Sequence, residues 1–225
     1  MQEYLPFILL GVVFFALLVW LAAKGRTSSL ARARKLAQWG FTPCPEEAGD
    51  LVQRITRLEN NSRYRYGIDN PLKGSLGGKV VYYYAKSRKR HRKVTVSEEL
   101  LFSLARPSAA GLSLFFKPSK LPAGTVTQLI GSVAAGPWDV QPDDLTKLAL
   151  PRDLQGTNLM AALGPAGTSL YSLIEPATLT VMQQLGDGGA LFALCRDDWC
   201  RLASAGGRMP FDLERLWPVL RQLLG

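Results

Sequence analysis

The run of charged residues from Lys86 to Lys93 is the part of this sequence whose residue types most directly suggest chemistry. It places six positive charges within eight residues, between stretches rich in tyrosine, valine and threonine. Such a run can bind an anionic surface, because each cation near an anionic lipid leaflet contributes about 1 kcal/mol. The candidate contacts for anionic lipid headgroups or an acidic protein partner are Lys86, Arg88, Lys89, Arg90, Arg92 and Lys93.

Two other interpretations of the basic run remain open. Arg63–Tyr66 and Tyr82–Tyr84 combine aromatic and cationic residues, as binders of single-stranded nucleic acid do. Their spacing matches no RNA-recognition signature, so nucleic acid is not the favoured partner. The charges could also protect the edge of a sheet, since Lys and Arg at an exposed edge discourage pairing with another chain.

Residues suited to catalysis or metal binding are sparse. His91 is the only histidine, and a place within the basic run gives it no shielded site in which to act as a base. Cys195 and Cys200 lie five residues apart, and the chain lacks the further Cys and His ligands that a zinc site needs. Phosphate-loop and dinucleotide-binding glycine motifs are also missing. The sequence therefore predicts a protein that is not an enzyme and has no catalytic residues, metal site or cofactor.

Strand-prone residues on both sides of the basic run would position it. Lys79–Ala85 and Arg92–Ser97 are rich in valine, tyrosine and threonine, so the sequence predicts an antiparallel hairpin that bends at Ser87–His91. A second hairpin is predicted in the C-terminal half, where Arg196-Asp197-Asp198 would form the turn between two short apolar strands.

The predicted helices lie before and after these strands. Apolar residues at helical spacing, with proline or a small polar residue at the start, are the signals used. The helices are predicted over Leu30–Trp39, Asp50–Leu58, Pro142–Leu148, Asn158–Leu163, Leu170–Glu175, Pro176–Leu185 and Pro210–Leu224.

An uncharged stretch near the N-terminus predicts a membrane span. Residues 4–23 contain no charged side chain, and a helix of 20 residues is about 30 Å long, which matches the hydrocarbon core of a bilayer. Aromatic residues near its ends and cations just after it fit the two membrane interfaces. The candidate interface residues are Tyr4, Trp20, Lys24 and Arg26.

The distribution of charge predicts the orientation of this span. Residues 24–93 carry 17 Lys and Arg and five Asp and Glu, whereas residues 94–225 carry 10 and 12. The positive-inside rule then places residues 1–3 outside and residues 24–225 in the cytoplasm. Three cysteines, an odd number, agree with a reducing compartment. The predicted localisation is therefore a bacterial-type cytoplasmic (inner) membrane, with a single pass.

These patterns combine into one predicted architecture. The fold class is a single N-terminal transmembrane α-helix followed by a small α+β cytoplasmic domain with antiparallel β-hairpins. Residues 24–60 form a basic juxtamembrane helical segment and residues 61–225 form the domain. The functional hypothesis is a membrane-anchored accessory or assembly subunit of a larger membrane complex, whose partners are the lipid bilayer, other subunits and anionic headgroups. The alternatives are a membrane-tethered enzyme with an unrecognised site and a membrane-tethered nucleic-acid binder.

Overall fold

A computed structural model describes residues 31–90, 93–117, 142–186, 191–204 and 213–225, and all of their side chains except those of residues 93 and 105–109. The chain divides into two compact units, Met1–Thr42 and Pro43–Gly225. In the described part of the first unit, residues 31–38 form helix α1. The chain leaves this helix at Gly40, whose φ of +84° is a left-handed conformation that suits glycine.

The second unit is built on an antiparallel sheet. A two-residue strand, β1 (Thr42–Pro43), lies at the boundary of the units. The other strands are β2 (Arg65–Leu76), β3 (Lys79–Arg90), β4 (Lys93–Phe116), β5 (Thr146–Lys147), β6 (Leu159–Gly164) and β7 (Leu191–Ser204). Strand β3 pairs with β2 and β4, β4 also pairs with β6 and β7, and β6 pairs with β5.

Strand β4 organises this sheet because it has 24 residues and pairs along both of its edges, with a neighbour on each side at Glu99–Phe102 and Ser113–Phe116. Its first part pairs with β3 and its last part, Ser113–Phe116, pairs with β6. Strand β7 runs along the other side from Glu99 to Phe116, with register shifts between Ser103 and Leu112. The first residues of β4 therefore extend beyond the end of β7.

Among the residues that the structure describes after residue 42, four α-helices accompany the sheet: α2 (Ala48–Glu59), α3 (Leu170–Leu173), α4 (Pro176–Leu185) and α5 (Leu213–Leu224). Helix α2 presents Leu51, Ile55 and Leu58, at helical spacing, to a core that includes Tyr82 and Tyr84 of β3. Because side chains alternate along a strand, the adjacent residues Val81 and Tyr83 face the opposite side of the sheet, where they are also buried. Helix α5 contacts α4, β2 and β4.

The predicted membrane architecture requires correction. No helix among the described residues is long and apolar enough to cross a membrane. The longest helices with complete bounds, α2 and α5, have 12 residues each and are about 18 Å long, against the roughly 30 Å of a hydrocarbon core. The predicted span at residues 4–23 and its interface residues Tyr4, Trp20, Lys24 and Arg26 lie outside the described residues. The structure thus gives no support to a single-pass membrane protein. This finding corrects two predictions, the fold class that begins with a transmembrane helix and the localisation in a cytoplasmic membrane.

The predicted balance of helices and hairpins is wrong as well. The described fold is dominated by its antiparallel sheet, and the supposed second hairpin is one continuous strand, β7. Asp197, with a φ of +52°, absorbs the irregularity within this strand, because β4 offers a pairing partner on both sides of it. Asn158–Leu163, predicted as a helix, lies mostly in strand β6. A short apolar run fits either structure, and pairing with β4 decides the outcome.

Candidate interaction site at the basic hairpin

Strands β3 and β4 form an antiparallel hairpin that carries the basic run. The pair Arg90–Lys93 closes it, so the connection lies at residues 91–92 and not at Ser87–His91. Strand β2 pairs along the other side of β3, and β7 reaches only to the Glu99–Ala203 pair. We call the three-stranded part that extends beyond β7 the basic arm: residues 65–69 of β2, 85–90 of β3 and 93–98 of β4.

One face of the basic arm holds two arginines against a tyrosine. Arg88 and Arg90 are two residues apart on β3, and their guanidinium carbons lie 4.6 and 5.7 Å from the centre of the Tyr64 ring. Arg90 Nη1 also donates a hydrogen bond to the Tyr64 hydroxyl over 3.4 Å. Cation–π contacts of this kind order the arginine side chains. Tyr64 is only 8% exposed, so its ring does not offer a platform on which a nucleobase could stack.

The other face of the basic arm exposes two valines beside a lysine. Val94 and Val96 are 59% and 53% exposed, the highest values among the large hydrophobic residues that the structure describes. Val94 pairs with Lys89, which is also exposed, and Val96 pairs with Ser87. Exposed apolar side chains next to each other on a surface are more informative than scattered ones, because they mark candidate contacts.

The structure does not place the six predicted contact residues on one surface. Arg88, Lys89 and Arg90 lie on the arm, with Lys89 and Arg90 exposed and Arg88 half-buried. Arg92, like His91, lies outside the described residues, and only the backbone of Lys93 is described. The structure does not bring Lys86 to this surface.

Lys86 instead belongs to a buried cluster of four charged side chains, which we call the charge cluster. Its members come from the end of α2 (Glu59), β3 (Lys86), β4 (Glu99) and β7 (Arg201), and each is at most 3% exposed. Lys86 Nζ contacts Glu59 Oε1 and lies 2.8 Å from Glu99 Oε1. Arg201 Nη1 contacts Glu59 Oε1 and lies 3.7 Å from Glu99 Oε2. Two acids thus face two bases, and the cluster is neutral as a whole.

Burial dominates the electrostatics of the charge cluster. It lowers the pKa of Lys86, although the Glu99 carboxylate opposes that shift. Tyr84 donates a hydrogen bond of 3.3 Å to Glu99 Oε2, and burial raises the pKa of this tyrosine well above its ordinary value. Glu59 Oε2 and Arg201 Nε have no hydrogen-bond partner in the described structure. A network that is paired in charge but incompletely hydrogen-bonded is costly to bury, so its presence needs an explanation beyond stability.

Sequence reasoning missed the charge cluster because its members are 142 positions apart at the extremes, from residue 59 to residue 201. One local signal was available for Lys86. It lies two residues after Tyr84 and four after Tyr82, so alternation along the strand places all three on one face. If the tyrosines face the core, Lys86 does too. Glu59 lies four residues after Ile55, so helical spacing puts it on the apolar face of the predicted helix, one position past its predicted end. Nothing comparable marks Arg201 in the sequence.

The remaining reactive groups are enclosed. Cys195 and Cys200 are buried free thiols whose sulfur atoms lie 2.9 Å apart, and Cys44 is buried as well. Burial raises the pKa of Cys200 well above its ordinary value, which disfavours the reactive thiolate. Within the described ranges, no three His, Cys, Asp or Glu side chains are grouped so that they could hold a metal ion.

Comparison with known proteins identifies no relative. Neither a protein-family model, nor a curated protein, nor a solved structure gives a significant match to this chain. The functional argument therefore depends on the geometry of the basic arm and the charge cluster.

Proposed function

We propose that this protein is a non-enzymatic accessory or assembly subunit that binds an acidic protein partner through the basic arm. The observation that carries the proposal is the combination, on one extension of the sheet, of exposed cations with the two exposed valines Val94 and Val96. The proposal does not include a membrane anchor.

Charge on the basic arm supports an acidic partner. Among the side chains of the arm that the structure describes, the exposed and half-buried ionic ones are four cations and two carboxylates. Exposed ion pairs contribute only about 0–1 kcal/mol each, so the cations mainly select and orient the partner. They are Arg65, Arg88, Lys89 and Arg90, against Asp69 and Glu98.

The valines supply the part of the binding energy that the cations do not. Full burial of a valine side chain is worth about 1.5–3 kcal/mol, and Val94 and Val96 each retain more than half of their exposure. Covering both would contribute about 2 kcal/mol in total, before the losses on association. This combination favours a protein surface over a purely ionic ligand.

The alternatives have less support. A nucleic-acid binder that stacks bases needs accessible rings, whereas Tyr64 is covered by Arg88 and Arg90, and Tyr66 lies under Lys86 at 5.4 Å. An enzyme needs reactive groups that a substrate can reach, whereas the charge cluster is closed within the core and its charges are used in mutual pairing.

Affinity capture with matched variants tests the proposal. The full chain is compared with Lys89→Glu, which reverses one exposed charge on the arm, and with Lys147→Glu, which reverses an exposed charge on β5. We expect wild type and Lys147→Glu to retain the same acidic protein in stoichiometric amount and Lys89→Glu to lose it. Equal retention by all three forms would show that the arm is not the contact surface.

A further inference from the structure

We propose that the acidic partner is an extended peptide segment that adds as a new strand to the free edge of β4, alongside Lys93–Ser97. The inference rests on the proposed function, because it uses the same arm, and it specifies the form of the partner. It also explains why exposed valines lie on this particular strand.

Among the described residues, no strand pairs with the backbone of β4 along this edge. In a hairpin with a two-residue connection the closing pair, here Arg90–Lys93, exchanges hydrogen bonds, and the pairs then alternate. Val94 and Val96 occupy the alternate positions, so their N–H and C=O groups point away from β3. Strand β7 first pairs with β4 at Glu99 and so does not reach them. In the described structure this edge offers two donors and two acceptors in a row.

Such an edge favours an extended ligand. An added strand would lie about 4.8 Å from β4 and would satisfy these backbone groups, which is the basis of peptide recognition by strand addition. The side chains of Val94 and Val96 share one face of β4, at a spacing of two residues, and would contact alternate side chains of the ligand. A helix or a flat globular surface would leave the edge groups unpaired.

Charge complementarity identifies an acidic segment as the occupant. An added strand would lie about 10 Å from the backbone of β3, a distance that a long cationic side chain and a carboxylate can bridge between them. Lys89, which pairs with Val94, is suited to such a contact. Arg88 and Arg90 are held over Tyr64 on the β2 side and add only to the positive potential of the arm. A second copy of this chain, added by the same edge, would instead place two positively charged arms side by side, which lacks the charge complementarity that an acidic segment offers.

The first test measures binding of a fluorescent hexapeptide of alternating glutamate and valine to the full chain by anisotropy. Val96→Pro removes the outward N–H but leaves the β3–β4 ladder intact, because proline is tolerated where the N–H faces solvent. Val96→Ala removes most of the side chain and keeps the N–H. We expect Val96→Pro to weaken binding by about tenfold or more and Val96→Ala by only a few fold. Equal weakening by the two variants, or none, would overturn strand addition.

A second test changes the peptide instead of the protein, so its result does not depend on whether Val96→Pro folds. Wild-type protein is titrated with the same hexapeptide N-methylated at alternate residues, which blocks one hydrogen-bonding edge, and with a lysine–valine hexapeptide. We expect neither to bind with comparable affinity. If the N-methylated peptide binds as well as the parent, or if the parent fails to bind, strand addition is overturned.

The outcomes separate this inference from the proposed function. If Lys89→Glu loses the captured partner while Val96→Pro keeps it, the arm is the contact surface but strand addition is wrong. If neither variant loses the partner, both proposals fail. A wild-type dimer that Val96→Pro dissociates would identify a second copy as the occupant, and binding to anionic vesicles without peptide binding would identify a lipid surface. Either result would overturn the acidic peptide.

Discussion

Removal of the Lys86 charge is the sharpest test of the described core. Lys86→Met keeps most of the apolar stem and removes the ammonium group that lies between Glu59 and Glu99. Two buried carboxylates would then face a single cation, Arg201, at sites that are at most 3% exposed. The variant therefore carries one uncompensated buried charge.

The expected change in the free energy of unfolding of Lys86→Met is the sum of two opposing contributions. Breaking a buried ion pair by removing one partner costs about 3–5 kcal/mol, because the remaining charge stays buried without compensation. Lys86 itself is costly to bury, as its lowered pKa indicates, so its removal recovers part of that cost. We therefore expect the free energy of unfolding to fall by about 3 kcal/mol, at the lower end of the range.

Urea denaturation at neutral pH measures this loss, and two further variants interpret it. Lys89→Met removes a cation three residues away on the same strand, where the side chain is exposed, and should change stability by no more than about 0.5 kcal/mol. Lys86→Met combined with Glu99→Gln restores neutrality, and a double-mutant cycle should give a coupling of about 1–3 kcal/mol.

Two results would contradict this reasoning. A loss below about 1 kcal/mol for Lys86→Met would mean that the ammonium group is not paired with carboxylates inside the core. Strict additivity of Lys86→Met and Glu99→Gln would mean that the two side chains do not interact, despite the 2.8 Å between Nζ and Oε1.

Three further predictions concern backbone strain, pH and thiol reactivity. Gly77 and Gly78 both have positive φ, so replacement of either by alanine should cost about 1 kcal/mol of stability. Gly77→Ala should destabilise more than Gly78→Ala in urea denaturation, because only a Cβ at Gly77 would meet the Leu224 carbonyl oxygen, at 2.7 Å. Burial raises the pKa of Tyr84 in the folded protein. The contribution of this tyrosine to folding stability is therefore complete below its pKa in the unfolded chain, about 10, and is lost as the pH rises above that value. The unfolding free energy of wild type relative to Tyr84→Phe should therefore fall above that pH, and a constant difference would contradict it. The three buried cysteines should react slowly with a thiol reagent in native protein and completely in urea; rapid native reaction would show that the core opens.

Local patterns predicted the elements of the basic hairpin but not their extent. The tyrosine-rich and valine-rich runs on either side of the charges indicate two strands by residue preference alone. Two features moved the bend from Ser87–His91 to residues 91–92. Lys86 is held in the core by carboxylates from distant elements, and β2 pairs along β3 as far as Lys89. Contacts between distant parts of the chain therefore override the usual association of a charge run with a turn.

Long-range pairing also decided the C-terminal half. Arg196-Asp197-Asp198 resembles a turn in isolation, and β7 passes through it because β4 provides hydrogen-bonding partners before and after the irregularity. Asp tolerates the left-handed conformation that Asp197 adopts better than most residues do. The sequence therefore allows an irregularity at Asp197. The strand continues through it because β4 is long enough to pair with β7 on both sides.

The charge cluster and the proposed binding edge are connected through strand register. A slip of one residue by β4 against β3 would move Glu99 to the opposite face of the sheet and take its carboxylate away from Lys86. The same slip would reverse which residues of β4 turn their N–H and C=O groups outward, so Val94 and Val96 would no longer present them. A buried ionic network is a poor source of stability compared with apolar packing, but it penalises every wrong register severely. The cluster thus lies at the base of the basic arm, where it fixes the alignment on which strand addition at the exposed edge depends.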